Sequence, residues 1–165
     1  ELWRWLLEHN GRVTTEDIVS GPGLARIHAF LGGRPRPEGN GASGSSALGV
    51  QEPAEIGAAA IAGSDPLAGA ALRLWLACYG AFAGDLGMHW LARGGVYLAG
   101  GMAAKLMPHT DTQPFLEAFF AKREHRALAS SLPVYLLTDE DLGLKGALAL
   151  AAANTAGAGT TLEME

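Results

Sequence analysis

The chain has 165 residues, with 12 basic and 17 acidic side chains, a net charge of -5, 23 glycines and one cysteine. This length is enough for one domain with its own hydrophobic core, and a single cysteine excludes an internal disulfide framework. Because the charge balance is acidic, the sequence predicts neither a nucleic-acid-binding protein nor one that docks on an anionic membrane. Glycine has about twice its usual ~7% share, so either part of the chain is flexible or backbones approach each other, or a ligand, closely.

The first residues carry no targeting signal. The segment starts with Glu1, lacks the basic region and the cleavage site of a signal peptide, and already has helical periodicity. We therefore expect the chain to be cut from a longer protein. The longest nearly apolar run, residues 74–84, covers eleven positions, whereas a membrane-spanning helix needs ~20. This run predicts a buried helix of a soluble protein.

The first half of the chain is predicted to be helical, because apolar residues recur at helical spacing and capping signals precede several of the helices. The predicted helices cover residues 1–9, a short helix that begins with a capping box at 14–17, and residues 22–31, 52–62 and 67–90. The last of these is apolar on most sides, so it should be central to the packing. Residues 34–50 are nearly all turn formers and predict a flexible insert.

The second half of the chain mixes strands with helices. A short apolar run bounded by glycine pairs predicts a buried strand at 96–99, and a run that begins with proline predicts a second strand at 133–137. Helices are predicted at 102–107, at 113–130 with a solvated basic face, and at 142–153. The tail at 154–165 is expected to fray. The pattern indicates a helix-rich α/β protein with a short sheet.

Gly100 and Gly101 follow the first predicted strand and precede a helix. In α/β proteins ligands bind at the carboxyl ends of strands, where helix N-termini expose amides and glycine lets a nucleotide touch the backbone. A tight turn that requires positive φ and binds nothing explains the same pair. Composition and position alone favour the turn.

Two further features have a functional and a structural explanation. Glu16, in the first turn of the short helix, is either a carboxylate that accepts sugar hydroxyls or an acid that stabilises the helix dipole, and pattern alone favours the second. Gly143 and Gly146 indicate that the last helix approaches another backbone closely. That backbone belongs either to a second lobe or to the sheet of this chain.

No metal site or nucleophile is predicted within the chain. The five histidines show no pairing at i,i+4 and have no cysteine or clustered acids beside them. Cys78 lies on an apolar helix face and is expected to be a structural thiol. Asp139, Glu140 and Asp141 are interpreted as the cap of the last helix.

Three segments in chain order resemble the C-terminal half of bacterial ATP-dependent glucokinases. They are RVTTEDIVSGPGL at 12–24, GGVYLAGGM at 94–102, and LPVYLL at 132–137 followed by GLKGA at 143–147. The SGPGL element with its preceding glutamate is the more specific one, since the glycine-rich strand is shared among sugar kinases of the hexokinase and actin type. The similarity covers nearly the whole chain except 34–50 and the tail.

The resemblance implies an actin-like, RNase H-like ATPase lobe, with residues 1–153 forming the C-terminal large lobe of a cytoplasmic glucokinase. By position, Glu16 would accept hydrogen bonds from glucose hydroxyls, Gly100 and Gly101 would lie against the nucleotide, and the last helix would lead to the small lobe. The implied ligands are glucose and ATP, with Mg²⁺ held through the phosphates. The sequence does not distinguish a monomer from a homodimer.

Other motifs of the family do not occur in this sequence. Its Asp-x-Gly-Gly-Thr phosphate loop, its Asn-Asp pair with the catalytic base and its Glu-Gly-Gly-His sugar element would all lie upstream of Glu1. Phosphoryl transfer depends on positioning and charge neutralisation, so we expect no catalytic residue in this chain, an absent N-terminal lobe and no activity in isolation. A kinase of another hexose, and a non-catalytic sugar- or nucleotide-binding or assembly module, are alternative functions.

Overall fold

The computed structural model describes residues 1–33, 51–139 and 141–157. Within them the helices are α1 Leu2–Asn10, α2 Gly21–Leu31, α3 Pro53–Ala62, α4 Pro66–His89, α5 Gly101–Leu106, α6 Gln113–Phe120, α7 Arg126–Ser130 and α8 Leu142–Gly157. The strands are β1 Val96–Leu98 and β2 Val134–Leu136, and single 3-10 turns lie at Thr15–Asp17, Met107–His109 and Arg123–His125. This is the helix-rich α/β arrangement expected from the sequence. The insert predicted at 34–50 lies outside the described residues.

Helix α4 is the centre of the packing, as its apolar surface predicts. It contacts α2, α3, α6 and α7. Its Trp75 and Leu76 are buried together with Phe115 and Phe119 of α6. The indole N–H of Trp75 donates a hydrogen bond of 3.1 Å to the carbonyl oxygen of Ser20, so this buried ring has both its apolar contacts and a partner for its polar atom.

Glycines allow α4 and α6 to pack with their backbones in contact. A Cβ atom at Gly80 would overlap the carbonyl oxygen of Phe115, and one at Gly84 would lie 2.5 Å from the carbonyl oxygen of Phe119. The two glycines are four residues apart and therefore share one face of α4. The close helix approach that the glycine content predicts thus occurs here.

Helix α4 is long and apolar enough to cross a membrane by length and composition, with a mean hydropathy of 1.3 over its most apolar window. It is longer than the eleven-residue apolar run that the sequence singles out. Its contacts on several sides with α2, α3 and α6 are those of a core helix in a folded domain.

The two strands form a parallel pair with Val96 opposite Val134 and Leu98 opposite Leu136. Leu98 is buried, whereas Tyr97 and Tyr135 point to the other face and are 59% and 45% exposed. Their rings stack with centroids 4.9 Å apart. The prediction that β1 is a buried strand is therefore wrong for one face, because among the described residues only one side of the sheet packs against helices.

The helix predicted over 113–130 is interrupted after Phe120. Lys122 leaves the helix, and its ammonium donates to the carbonyl oxygen of Ala81 at 2.9 Å and to Asp85 at 2.6 Å. Arg123 then has a positive φ of 48°. Lys122 was expected on a solvated face, but its side chain is only 12% exposed, because it covers the carboxyl-terminal half of α4.

Helix α8 extends from the body of the domain. All its described side chains through Asn154 are exposed, including Leu144, Leu148 and Leu150, each more than 60% exposed. No atom lies within 4 Å of a Cβ placed at Gly143 or Gly146, so α8 does not pack on the sheet of this chain. The helix continues to Gly157, four residues beyond its predicted end, and residues 158–165 lie outside the described part.

The close contact between α4 and α6 can be tested by substitution. We expect Gly80→Ala to lower the free energy of unfolding by about 2 kcal/mol or more, because overpacking typically costs ~1–3 kcal/mol and here the obstacle is a backbone carbonyl. Urea unfolding followed by tryptophan fluorescence measures the change.

Gly69→Ala is the matched control on the same helix. The nearest atom to its new Cβ is the flexible Arg73 guanidinium, at 3.6 Å. This variant should be neutral or more stable by up to ~1 kcal/mol, because alanine favours helix. Equal losses of stability in both variants would contradict the close-packing explanation.

Candidate functional site

The segment between α1 and α2 is a tightly bonded turn. Helix α1 ends at Asn10 and is capped by Gly11, which has a φ of 67°. The capping-box sequence then forms one 3-10 turn, in which Asp17 Oδ2 accepts the amide of Thr14 at 2.9 Å and its hydroxyl at 2.8 Å. The short helix predicted at this place is confirmed as this single turn.

Ser20 links this turn to the start of α2. Its hydroxyl donates to the carbonyl oxygen of Glu16 at 2.7 Å and accepts the amide of Gly23 at 2.9 Å, which makes Ser20 the N-cap of α2. A Cβ at Gly23 would overlap the backbone of Ile18. The local structure therefore explains the serine and the second glycine of the SGPGL element.

An open polar cavity of about 680 Å³ lies beside this turn. Its lining residues are Arg12, Thr14, Thr15, Glu16, Asp17, Ser20, Pro22 and Arg26. The lining combines carboxylates, guanidinium groups and hydroxyls, which are the groups that form hydrogen bonds with a polyhydroxylated ligand. Glu16, the residue singled out in the sequence, lies in this cavity and is exposed to it.

Gly100 and Gly101 lie where the sequence places them, after β1 and at the start of α5. Gly100 is the N-cap of α5 with a φ of 105°, so the turn requires glycine there. No atom lies within 4 Å of a Cβ at either glycine. The space beside the pair is therefore open enough for a ligand to touch the backbone.

The glycine turn and the cavity segment adjoin each other through Met102. The sulfur of Met102, the second residue of α5, lies 3.5 Å from a Cβ placed at Gly21, the first residue of α2. At this point the start of α5 therefore lies beside the start of α2.

Three titratable groups outside the cavity belong to the helices or to their caps. Burial raises the pKa of the Cys78 thiol, which makes it a poorer nucleophile, as expected for a structural thiol. Buried His28 has its Nε2 atom 3.7 Å from the Asp65 carboxylate. A hydrogen bond from the Leu67 amide, more than the nearby histidine, lowers the pKa of Asp65, which caps α4. Within the described ranges, no group of three or more His, Cys, Asp and Glu side chains could hold a metal ion.

Sequence reasoning missed most of the cavity lining, above all the two arginines. Arg26 is on a helix whose other buried residues are apolar except for His28, and it is only 3% exposed. Its partner Asp17 is nine residues away in the chain, and this spacing does not correspond to a regular contact within one helix or strand. The pair forms only because the 3-10 turn folds back on α2.

Comparison with known proteins adds independent information. The family model described as Glucokinase matches residues 1–154. The chain is 36% identical to a glucokinase of Nostoc sp., covering 92% of this chain and 48% of that relative. It is 38% identical to a glucokinase of Mesorhizobium japonicum, covering 86% of this chain and 39% of that relative. The chain thus spans about half the length of the curated relatives it matches.

A solved structure shows the same fold. The crystal structure of a glucokinase from an Antarctic psychrotroph superposes with a TM-score of 0.73 at 25% identity, over 93% of this chain and 45% of that one. This likeness confirms the predicted actin-like ATPase lobe. Because the family model covers the chain almost from end to end and the relatives agree in sequence and in fold, this chain belongs to the glucokinase family.

Proposed function

We propose that the protein carrying this chain transfers the γ-phosphoryl group of ATP to the 6-hydroxyl of glucose in the cytoplasm. In this proposal residues 1–153 form the large lobe, and the remaining catalytic parts lie in the half of the relatives that this chain does not match. The observation that carries the proposal is the place of Glu16, the glutamate four residues before the SGPGL element, which lines an open polar cavity.

The chain's own part in the reaction is to hold the two substrates. The Glu16 carboxylate accepts hydrogen bonds from glucose hydroxyls, and such charge-assisted bonds contribute ~1.5–3 kcal/mol each. Gly100 and Gly101 let the nucleotide lie against the backbone at the carboxyl end of β1. Phosphoryl transfer depends mainly on positioning and charge neutralisation, so binding both substrates in one orientation is a direct contribution to rate.

The reaction also needs a magnesium ion and a catalytic base, and we assign neither of them to a side chain described in this chain. Mg²⁺ supplies charge neutralisation when bound to ATP, and we assign its contacts to the phosphates. The carboxylate that takes the proton of the sugar hydroxyl is assigned to the unmatched half of the relatives. We therefore propose that the chain is inactive by itself, and that the exposed helix α8 leads towards a second lobe.

Activity is tested with the full-length protein, or with a chimera in which residues 1–154 replace the matched part of the Nostoc glucokinase. We expect ATP-dependent formation of glucose 6-phosphate, followed in a coupled assay. A folded protein of this kind that shows no turnover, while the Nostoc parent is active, would contradict the proposed function.

Glu16→Gln tests the glucose contact in the same protein. We expect the KM for glucose to rise ~10–100-fold, because one or two charge-assisted bonds are lost, while the KM for ATP stays the same. Glu55→Gln is the control, since Glu55 is an exposed carboxylate on α3 away from the cavity. An unchanged glucose KM in Glu16→Gln would remove Glu16 from the site.

Gly101→Ala tests the nucleotide contact. The new methyl group enters open space in the structure, so stability should be unchanged, but it would collide with a nucleotide that lies against the backbone. We expect a higher KM for ATP and the same KM for glucose. Gly94→Ala is the control, because its Cβ also meets no atom within 4 Å. If both variants keep the ATP KM of the parent, the nucleotide does not touch this turn.

A further inference from the structure

Arg26 is a buried cation at the edge of the candidate glucose site. It lies on the second turn of α2, and its side chain is 4% exposed. A buried charge is tolerated only where it is paired and hydrogen-bonded. Arg26 Nη1 donates to the carbonyl oxygen of Asp17 at 3.2 Å and lies 3.6 Å from Asp17 Oδ1.

Asp17 carries this interaction into the turn that contains Glu16. Its other carboxylate oxygen, Oδ2, accepts both the amide and the hydroxyl of Thr14. The backbone on the far side of Glu16 is held as well, because Ser20 donates to the Glu16 carbonyl oxygen. Arg26, Asp17, Thr14 and Ser20 therefore brace the backbone immediately before and after Glu16.

We propose that Arg26 is a positioning residue for Glu16, acting through Asp17 and resting on the proposed role of Glu16 in glucose binding. The guanidinium fixes the carbonyl and the carboxylate of the neighbouring residue, so the exposed Glu16 carboxylate starts from a rigid backbone. Arg26 Nη1 makes both contacts, and its position is set by the rigid plane of the guanidinium, whereas the ammonium of a lysine is a point charge on a flexible stem. Preorganisation of this kind matters because a misplacement of about 1 Å at a substrate contact can cost ~100-fold in rate.

A second way for Arg26 to affect glucose binding must be separated from this one. Arg26 also lines the cavity, so its guanidinium could donate directly to the sugar. A direct donor would act independently of Glu16, and its effect would multiply with that of Glu16. Substitution of a positioning residue does not change the KM for glucose once the carboxylate that it positions has been removed. A double-mutant cycle distinguishes the two.

The experiment measures the KM for glucose and the KM for ATP in the full-length protein or the chimera, for Arg26→Lys, Glu16→Gln and the double variant. Arg26→Lys keeps the positive charge next to Asp17, which limits the loss of stability. We expect it to raise the glucose KM about fivefold or more in the parent, and by less than about twofold in the Glu16→Gln background. The ATP KM should be the same throughout.

Arg73→Lys is the matched control, because Arg73 is an exposed arginine on α4 that does not line the cavity. If Arg26→Lys does not fold, Asp17→Asn replaces it in the same cycle, since it weakens the same pair from the other side. Thermal unfolding of each variant identifies a loss of structure, which would affect both substrates.

Three results overturn the proposal. An equal increase in the glucose KM in both backgrounds assigns a direct sugar contact to Arg26, and no increase in the parent removes Arg26 from glucose binding altogether. Parallel increases in the glucose and ATP KM assign it a structural role only. A normal glucose KM in Glu16→Gln alone is a failure of the proposed function itself, and it is recognisable as such because it does not involve Arg26.

Discussion

The contact between α4 and α6 is the constraint on which the rest of the domain depends. Gly80 and Gly84 bring the two helix backbones together, because a side chain at either position would collide with a carbonyl oxygen of α6. At this distance Phe115 and Phe119 reach into the core and are completely buried. Interiors are packed as densely as organic crystals, so a shift of α6 would be transmitted to every helix that rests on α4.

Helix α4 also determines where the candidate site is formed. Trp75 packs in the core and donates its N–H to the carbonyl oxygen of Ser20, while the hydroxyl of Ser20 holds the carbonyl oxygen of Glu16. Ser20 thus connects the cavity wall to the core through its carbonyl oxygen and its hydroxyl. This arrangement explains how an exposed carboxylate can have a defined position, since the backbone that carries it is held by a buried tryptophan.

Two apolar surfaces of this chain are exposed. Helix α8 exposes Leu144, Leu148 and Leu150, and the stacked rings of Tyr97 and Tyr135 lie on an open face of the sheet. Monomeric proteins rarely expose large contiguous apolar patches unless another surface covers them. Since the chain spans about half the length of its curated relatives, these faces agree with the proposal of a second lobe.

The sequence by itself determined most of the helices, the two strands and the central place of α4. These follow from local signals, namely apolar periodicity, capping residues and the glycines and prolines that bound the elements. The candidate roles of Glu16, Gly100 and Gly101 are implied by the resemblance to glucokinases, because local pattern alone favours a structural explanation for each. Only the tertiary structure decided which glycines bring backbones together, where the long helix after residue 113 breaks, and that Arg26 pairs with Asp17. Each of these depends on groups that are far apart along the chain, such as Gly80 and Phe115. Local periodicity contains no information about such pairs, because it describes one element at a time.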